Sequence, residues 1–181
     1  MFIVKKNIKK KDIVILVALK KELPKGILND FNIIYTGVGK VNAAFAIYDS
    51  YLKYKPSFII NYGTAGALNK KLKGLVKITS FYDRDSISNS KFIKINDEGY
   101  SCSTGENTVV NNLKLNSDLV DMESYVYAKF SKKFRVKFEC YKFISDYATK
   151  KSLKNWSKNL VIGAKLFEQK LFEICKIHNI C

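Results

Sequence analysis

Three short segments of the chain combine residues that can do chemistry with positions that suit an active site. Carboxylates occur in Val120-Asp121-Met122-Glu123-Ser124 and Ile144-Ser145-Asp146-Tyr147, and a glycine turn occurs in Gly63-Thr64-Ala65-Gly66, each where a hydrophobic strand is expected to end. Open α/β sheets bind ligands in the crevice beyond the carboxyl ends of their strands. Carboxylates placed there can act as general acids or bases, so these segments predict an active site.

The two main carboxylates are predicted to differ in role because their settings differ. Glu123 begins a predicted helix, whose positive dipole end keeps a carboxylate ionised and suits it to accept hydrogen bonds from hydroxyl groups. Asp146 follows a long apolar strand, so partial burial could raise its pKa and let it act as a general acid near neutral pH. Each residue also has a simpler interpretation, as an ordinary helix-start acid or a capping residue.

Two glycine-containing turns are candidates for close approach to a ligand. In Gly63-Thr64-Ala65-Gly66 the small residues leave backbone amides and a hydroxyl free to bind a ligand, although a plain strand exit has the same composition. Gly37-Val38-Gly39-Lys40 lacks the spacing of a Walker loop, and Asn42 stands where the dinucleotide fingerprint needs a third glycine. A tight turn is the favoured interpretation of this second motif.

Alternating strands and helices must position these residues. Helices are predicted from the Gly39-Lys40 turn to Pro56, from Glu123 to about Lys132, and from Trp156 to His178. Strands are predicted over residues 13–19, 32–36, 57–62, 75–82, 100–104, 119–122 and 136–144, with a polar connection over 83–96. This alternation favours one layered α/β domain spanning residues 1–181.

Charge and composition limit the classes of function. The 181 residues are 47% hydrophobic, which supports a full core, and their 32 basic and 16 acidic residues give a net charge of +16. Only Arg84 and Arg135 are arginines, and lysines spread along the whole chain are more typical of a solvated surface than of a nucleic-acid interface. Nucleic-acid binding is therefore disfavoured as the main role.

The start of the chain superficially resembles a secretory signal. Lysines between positions 5 and 11 precede an apolar run over 13–19, but Lys20-Lys21-Glu22 follows without a cleavage site. We interpret the run as a buried first strand. No apolar run reaches the ~20 residues needed to span a bilayer, so no membrane association is expected.

The cysteines and the single histidine predict neither a metal site nor a disulfide framework. Cys102, Cys140, Cys175 and Cys181 show no Cys-x-x-Cys spacing, which favours a reducing cytoplasm. Cys175 and His178 share a helix face, but their spacing fits a core stripe better than a nucleophile and its base. We expect no metal.

Six motifs in order resemble the nucleoside phosphorylase and nucleosidase family, and in particular the methylthioadenosine/S-adenosylhomocysteine nucleosidases. The resemblance covers residues 13–171. The motifs are Val17-Ala18-Leu19-Lys20-Lys21-Glu22, Thr36-Gly37-Val38-Gly39-Lys40-Val41, Asn61-Tyr62-Gly63-Thr64-Ala65-Gly66, Ser103-Thr104-Gly105-Glu106-Asn107, Val120-Asp121-Met122-Glu123 and Ile144-Ser145-Asp146. The resemblance implies a three-layer α/β/α fold with a mixed central sheet, like that of the nucleoside phosphorylases.

The resemblance also implies roles for individual residues. Asp146 would protonate the purine N7, Glu123 would hold the ribose hydroxyls, and Glu22 would orient and deprotonate the attacking water. The substrate-binding residues would be Glu123, Met122, Thr64, Ala65, Gly66, Ser145, the backbone near Val109, and Lys142, which occupies a place often held by arginine. Thr108 stands where an aromatic ring often stacks on the base, and the chain lacks a hairpin between Glu22 and Asn32.

The activity implied is hydrolysis of a purine nucleoside, without a cofactor, in a homodimer whose partner subunit closes the sugar pocket. Hydrolysis is favoured over phosphorolysis because Glu22 is present and only two arginines exist to bind phosphate. Two alternatives stay open: a purine nucleoside phosphorylase, and a basic binding protein that keeps the fold with weakened catalysis. The natural nucleoside also stays open.

Overall fold

A computed structural model describes residues 8–24, 26, 28–86, 92–109, 116–149 and 159–180. Its helices are α1 (Lys40–Tyr54), α2 (Ser124–Phe134) and α3 (Leu160–Ile177), besides a 3-10 turn at Lys10–Asp12. Its strands are β1 (Ile13–Val17), β2 (Asn32–Tyr35), β3 (Phe58–Ala67), β4 (Leu75–Asp83), β5 (Phe92–Lys94), β6 (Tyr100–Thr104), β7 (Leu119–Asp121) and β8 (Lys137–Asp146). Trp156 and Cys181, which the sequence predictions include, lie outside the described residues.

The strands form a mixed sheet that closes partly upon itself. Strands β2, β1, β3 and β8 run parallel to one another, and β8 then pairs antiparallel with β4. Strands β4, β6 and β7 are parallel, and the short β7 pairs antiparallel with the end of β3. The ring β3-β8-β4-β6-β7 therefore brings the ends of distant strands together around one point.

Two apolar cores lie on opposite faces of the sheet. One contains Ala43 and Ile47 of α1 with Tyr127 and Ala128 of α2, and the other contains Phe167, Leu171 and Ile174 of α3. All five residues of β1 are fully buried between them, as the continuous apolar run predicts. The predicted three-layer α/β/α fold with a mixed sheet is confirmed.

Three sequence predictions differ from the structure. Gly63 does not end its strand: β3 continues to Ala67 because its backbone stays paired with β8 and then with β7. The supposed polar connection over 83–96 contains β5, which pairs with β4 through three residue pairs. Strand β1 ends at Val17, before Ala18 and Leu19. None of the described helices has the length and apolar composition that crossing a bilayer requires.

Candidate active site

A cavity of about 320 Å³ opens where the last residues of β3, β7 and β8 meet the turns that follow β1 and β4. Nine of the ten predicted site residues line it: Glu22, Thr64, Ala65, Gly66, Val109, Met122, Glu123, Ser145 and Asp146. The tenth, Lys142, does not belong to the cavity wall. Residues distant in sequence thus meet at the strand ends, as the motif positions predict.

Glu22 is fixed in the turn after β1 by hydrogen bonds to two elements. Its Oε2 accepts the Leu19 amide at 3.0 Å, and its Oε1 accepts the amide and the hydroxyl of Thr64 at 2.9 and 2.7 Å. The residue is buried at the cavity wall. These bonds hold a carboxylate beside β3 in one orientation.

Glu123 is the N-cap residue of α2 and is almost fully buried. Its Oε1 accepts the backbone amide of Gly39 at 2.9 Å, across the turn that precedes α1. Burial, and then the negative charge of Asp121, raise the pKa of Glu123 to about 7, although Lys142 and the Gly39 amide act in the opposite direction. The helix start was expected to keep this carboxylate ionised, and burial in the fold opposes that form.

Asp146 is the last residue of β8. Its Oδ1 accepts the Ala148 amide at 2.7 Å, and its Oδ2 accepts the Ser145 hydroxyl at 2.9 Å. A register shift after Ala65 pairs Gly66 with Asp146, and a Cβ on Gly66 would stand only 3.1 Å from Oδ1. The glycine therefore lets the acid lie directly against β3.

The Gly37–Gly39 turn belongs to the site, which its interpretation as a tight turn did not predict. Gly37 and Gly39 have φ values of 80° and 97°, which favour glycine, and the turn leads into α1. Val38 lines the cavity, while the Gly39 amide binds Glu123. A glycine pair before a helix was the available signal for this contact.

Arg84 is a second residue that the sequence predictions missed, and it supports the cavity wall. One guanidinium nitrogen, Nη1, donates to the carbonyls of Ser103 and Asp121 at 2.7 and 2.8 Å, and Nη2 donates to the carbonyl of Asn107. Arg84 joins three segments through main-chain acceptors. Only its rarity, as one of two arginines, marked it in the sequence.

Lys142 lies beneath the cavity and is paired with Asp121. Its Nζ is 2.9 Å from Asp121 Oδ2, and both side chains are buried. Burial alone would lower the pKa of Lys142 and raise that of Asp121, but the attraction between the charges reverses both shifts. Both partners are therefore charged, and Lys142, the tenth predicted site residue, is engaged by Asp121 outside the cavity wall.

The remaining candidates take structural positions. Cys175, on the buried face of α3, packs in the core, whereas His178 Nε2 lies 2.7 Å from Lys137 Nζ. Cys175 and His178 therefore take structural positions and not those of a nucleophile and its base. Thr108 lines the cavity, and the described wall contains no aromatic side chain. Within the described ranges, no three histidine, cysteine or acidic residues come together in a group that could hold a metal ion.

Comparison with known proteins gives a sequence match over part of the chain and a structural match over most of it. No family model matches the chain. A segment of 49 residues is 49% identical to 5′-methylthioadenosine/S-adenosylhomocysteine nucleosidases of Staphylococcus aureus, and covers 26% of this chain and 22% of theirs. The match thus spans about a fifth of the length of these relatives.

Solved structures of nucleosidases have the same fold. The 5′-methylthioadenosine/S-adenosylhomocysteine nucleosidase of Helicobacter pylori superposes with a TM-score of 0.76 at 20% identity, covering 93% of this chain and 100% of that one. A futalosine hydrolase mutant from the same organism gives a TM-score of 0.75 at 19% identity, covering 89% and 98%. The chain therefore has the nucleoside phosphorylase-like α/β fold of these solved nucleosidases. Glu22, Glu123 and Asp146 reach its cavity from three separate segments.

Proposed function

We propose that this protein is a hydrolase that cleaves the bond between base and ribose in purine nucleosides of the methylthioadenosine/S-adenosylhomocysteine type. The observation that carries the proposal is the convergence of Glu22, Glu123 and Asp146 on one cavity. The curated relatives with the matched segment are named 5′-methylthioadenosine/S-adenosylhomocysteine nucleosidases. A solved structure of an H. pylori nucleosidase mutant with the same fold has 5′-methylthioadenosine in its active site.

The three acids meet the demands of glycosidic cleavage. Departure of a purine leaves an oxocarbenium-like sugar and places negative charge on the base, so the reaction needs a proton donor and nearby negative charge. Asp146 donates its proton to the purine N7, and Glu123 accepts hydrogen bonds from the ribose hydroxyls. Glu22 takes a proton from the attacking water, which forms the new bond to the sugar carbon.

The contacts of the cavity favour water over phosphate as the nucleophile. The Thr64 amide and hydroxyl, which could bind an anion, already bind Glu22. Arg84 is the one cationic side chain in the described wall, and its guanidinium donates hydrogen bonds to main-chain carbonyls. A phosphate ion would therefore meet the Glu22 carboxylate beside Thr64, while the cation of the described wall is already engaged by carbonyls.

Futalosine is a second candidate substrate, because the fold superposes on a futalosine hydrolase almost as well as on the nucleosidase. A single assay tests the reaction and ranks the substrates. Release of free base is followed by chromatography with methylthioadenosine, S-adenosylhomocysteine, futalosine, adenosine and inosine, each with and without phosphate. Base and free sugar without phosphate support hydrolysis; strict phosphate dependence contradicts it, and no release from any nucleoside contradicts the enzymatic proposal.

We also propose that the working form is a homodimer. Val41, Phe45, Tyr48 and Leu52 recur on one face of α1, and each is at least 48% exposed. This apolar stripe begins next to Val38, which is itself 40% exposed and lines the cavity. A second copy covering the stripe would also narrow the mouth of the cavity.

A cytoplasmic location fits this activity. The described cysteines Cys102, Cys140 and Cys175 are all free thiols, and each is buried. Secreted proteins of this size more often use cysteines in disulfides. Fractionation of cells that express the tagged protein, with appearance in the secreted fraction as the contradicting result, tests the location.

A further inference from the structure

The ion pair of Lys142 and Asp121 is linked directly to the start of α2. Asp121 Oδ2 accepts both Lys142 Nζ and the Ser124 amide at 2.9 Å, and Ser124 is the residue after Glu123. Its Oδ1 accepts the Thr104 hydroxyl at 2.6 Å. One carboxylate oxygen therefore joins the buried ammonium group to the helix end that carries Glu123.

The same ammonium group lies close to Glu22. A Cβ built on Gly63 would be 3.4 Å from Lys142 Nζ and 3.7 Å from Glu22 Oε1, so one methyl group would touch both side chains. Lys142, which is paired with Gly63 of β3, thus lies near both Asp121 and Glu22 without lining the cavity. Its charge can therefore act on Glu123 without touching a ligand in the cavity.

The surroundings of Glu123 explain why that charge matters. The titratable and charged groups that act on it or respond to its charge come from every neighbouring element: Asp121 of β7, Lys142 and Cys140 of β8, Glu22 after β1, and Tyr127 of α2. Burial and the negative charges favour the protonated form of Glu123, and Lys142 is the cation that opposes them. A buried ion pair is often no more stabilising than an apolar pair, so fold stability alone gives little reason for this one.

We propose that Lys142 is a positioning residue for the reaction, whose ammonium group, held by Asp121, offsets part of the negative charge around Glu123 and so favours the charged form that accepts hydrogen bonds from ribose. The inference rests on the proposed function, since it assigns Glu123 to ribose binding. It replaces direct substrate contact by Lys142 with an electrostatic role exerted through the cavity wall.

Lys142→Gln tests the charge while keeping a hydrogen-bond donor for Asp121, and Lys142→Arg is the matched control that keeps the charge. Titration of the Glu123 side-chain carboxyl carbon by NMR in the ligand-free proteins should show a pKa at least about one unit higher in Lys142→Gln than in wild type. Lys142→Arg should titrate like wild type. An unchanged Glu123 titration in Lys142→Gln overturns the proposal.

The pH profile of kcat/KM provides the second readout. Lys142→Gln should lose about fivefold in kcat/KM at pH 7, and the loss should largely disappear by pH 9, where Glu123 is ionised in both proteins. A loss of equal size at every pH would mean a merely structural role and would overturn the proposal. If wild type releases no base at all, the proposed function fails, while the ligand-free titration still decides the electrostatic inference.

Asp121→Asn supplies a complementary test should Lys142→Gln be too unstable to purify. Removing the negative charge next to Glu123 should lower the pKa of Glu123 and move the acid limb of the pH profile to lower pH. An unchanged pKa of Glu123 in this variant would contradict the proposal that the charges of Lys142 and Asp121 influence its ionisation.

Discussion

At the scale of single residues, Asp146 gives the most direct prediction. Asp146→Asn keeps the size of the side chain but removes its transferable proton, so kcat should fall on the order of a hundredfold or more. Asp97→Asn is the control, because the Asp97 side chain is 93% exposed and pairs with the surface residue Lys94. Steady-state kinetics should separate the two variants, while their circular dichroism spectra stay the same. Near-normal turnover of Asp146→Asn would remove this residue from the mechanism.

Glu123 predicts opposite effects of pH on activity and stability. Its pKa of about 7 lies above the ordinary value of 4.5, so ribose binding by the carboxylate should improve as pH rises through 7. A folded-state pKa that is raised stabilises the fold below pH 4.5, and this stabilisation is lost as pH rises towards 7. Denaturant unfolding of wild type and Glu123→Gln between pH 4 and 8 measures the difference. The free energy of unfolding of wild type should fall relative to that of Glu123→Gln as pH rises. A difference between the two proteins that stays constant with pH would contradict the raised pKa.

Residue types at strand ends indicated Glu123, Asp146 and the Gly63–Gly66 segment, and the family resemblance added the other predicted site residues. Nine of these ten predicted residues line the cavity, whereas Lys142 does not. Lys142 lies an even number of residues before Asp146 on β8, but the four-residue separation of their positions corresponds to about 13 Å along the strand. Whether a residue of β8 reaches the cavity depends on its register with β3, and the sequence alone does not show that register. The roles of the cavity residues remain predictions until the variants are assayed.

At the scale of elements, sequence periodicity predicted the helices and the longer strands because they carry enough apolar positions to define a repeat. Strand β5, three residues within the polar stretch 83–96, gives no such signal. The misplaced end of β3 has another cause. Glycine in a strand can mark close approach instead of termination, and here Gly66 makes room for Asp146.

Helix α3 gives a stability prediction in which two principles disagree about the sign. Alanine is the better helix former, so helix propensity alone predicts that Gly163→Ala stabilises by up to about 1 kcal/mol. Its Cβ, however, would stand 2.7 Å from both Phe143 Cγ and Tyr62 Oη, and overpacking of this kind costs about 1–3 kcal/mol. We expect net destabilisation in denaturant unfolding. Gly26→Ala, which meets nothing within 4 Å, is the control, and a more stable Gly163→Ala would disprove the close packing of α3.

At the scale of the whole molecule, the closed ring of strands brings the site residues together. No local sequence pattern predicts this ring. Strand β7 has three residues, yet it connects the end of β3 to β6 and so brings Asp121 and Glu123 to Gly66 and Asp146. The net charge of +16 is a second global property. Turnover of a small neutral nucleoside should hardly depend on ionic strength, in contrast to lysine-driven binding of nucleic acid.

The exposed stripe on α1 predicts how the molecule assembles and what assembly does. Wild type should sediment at micromolar concentration with twice the mass of the chain, and Phe45→Lys should sediment as a monomer because it places a charge in the centre of the stripe. Phe172→Lys is the matched control, since Phe172 is a half-exposed aromatic residue on α3, away from that stripe. Because the stripe begins beside Val38 at the cavity, the monomeric variant should also show a raised KM with an intact fold. A monomeric wild type with full activity would show that the cavity is complete within one chain and that α1 has another partner or none.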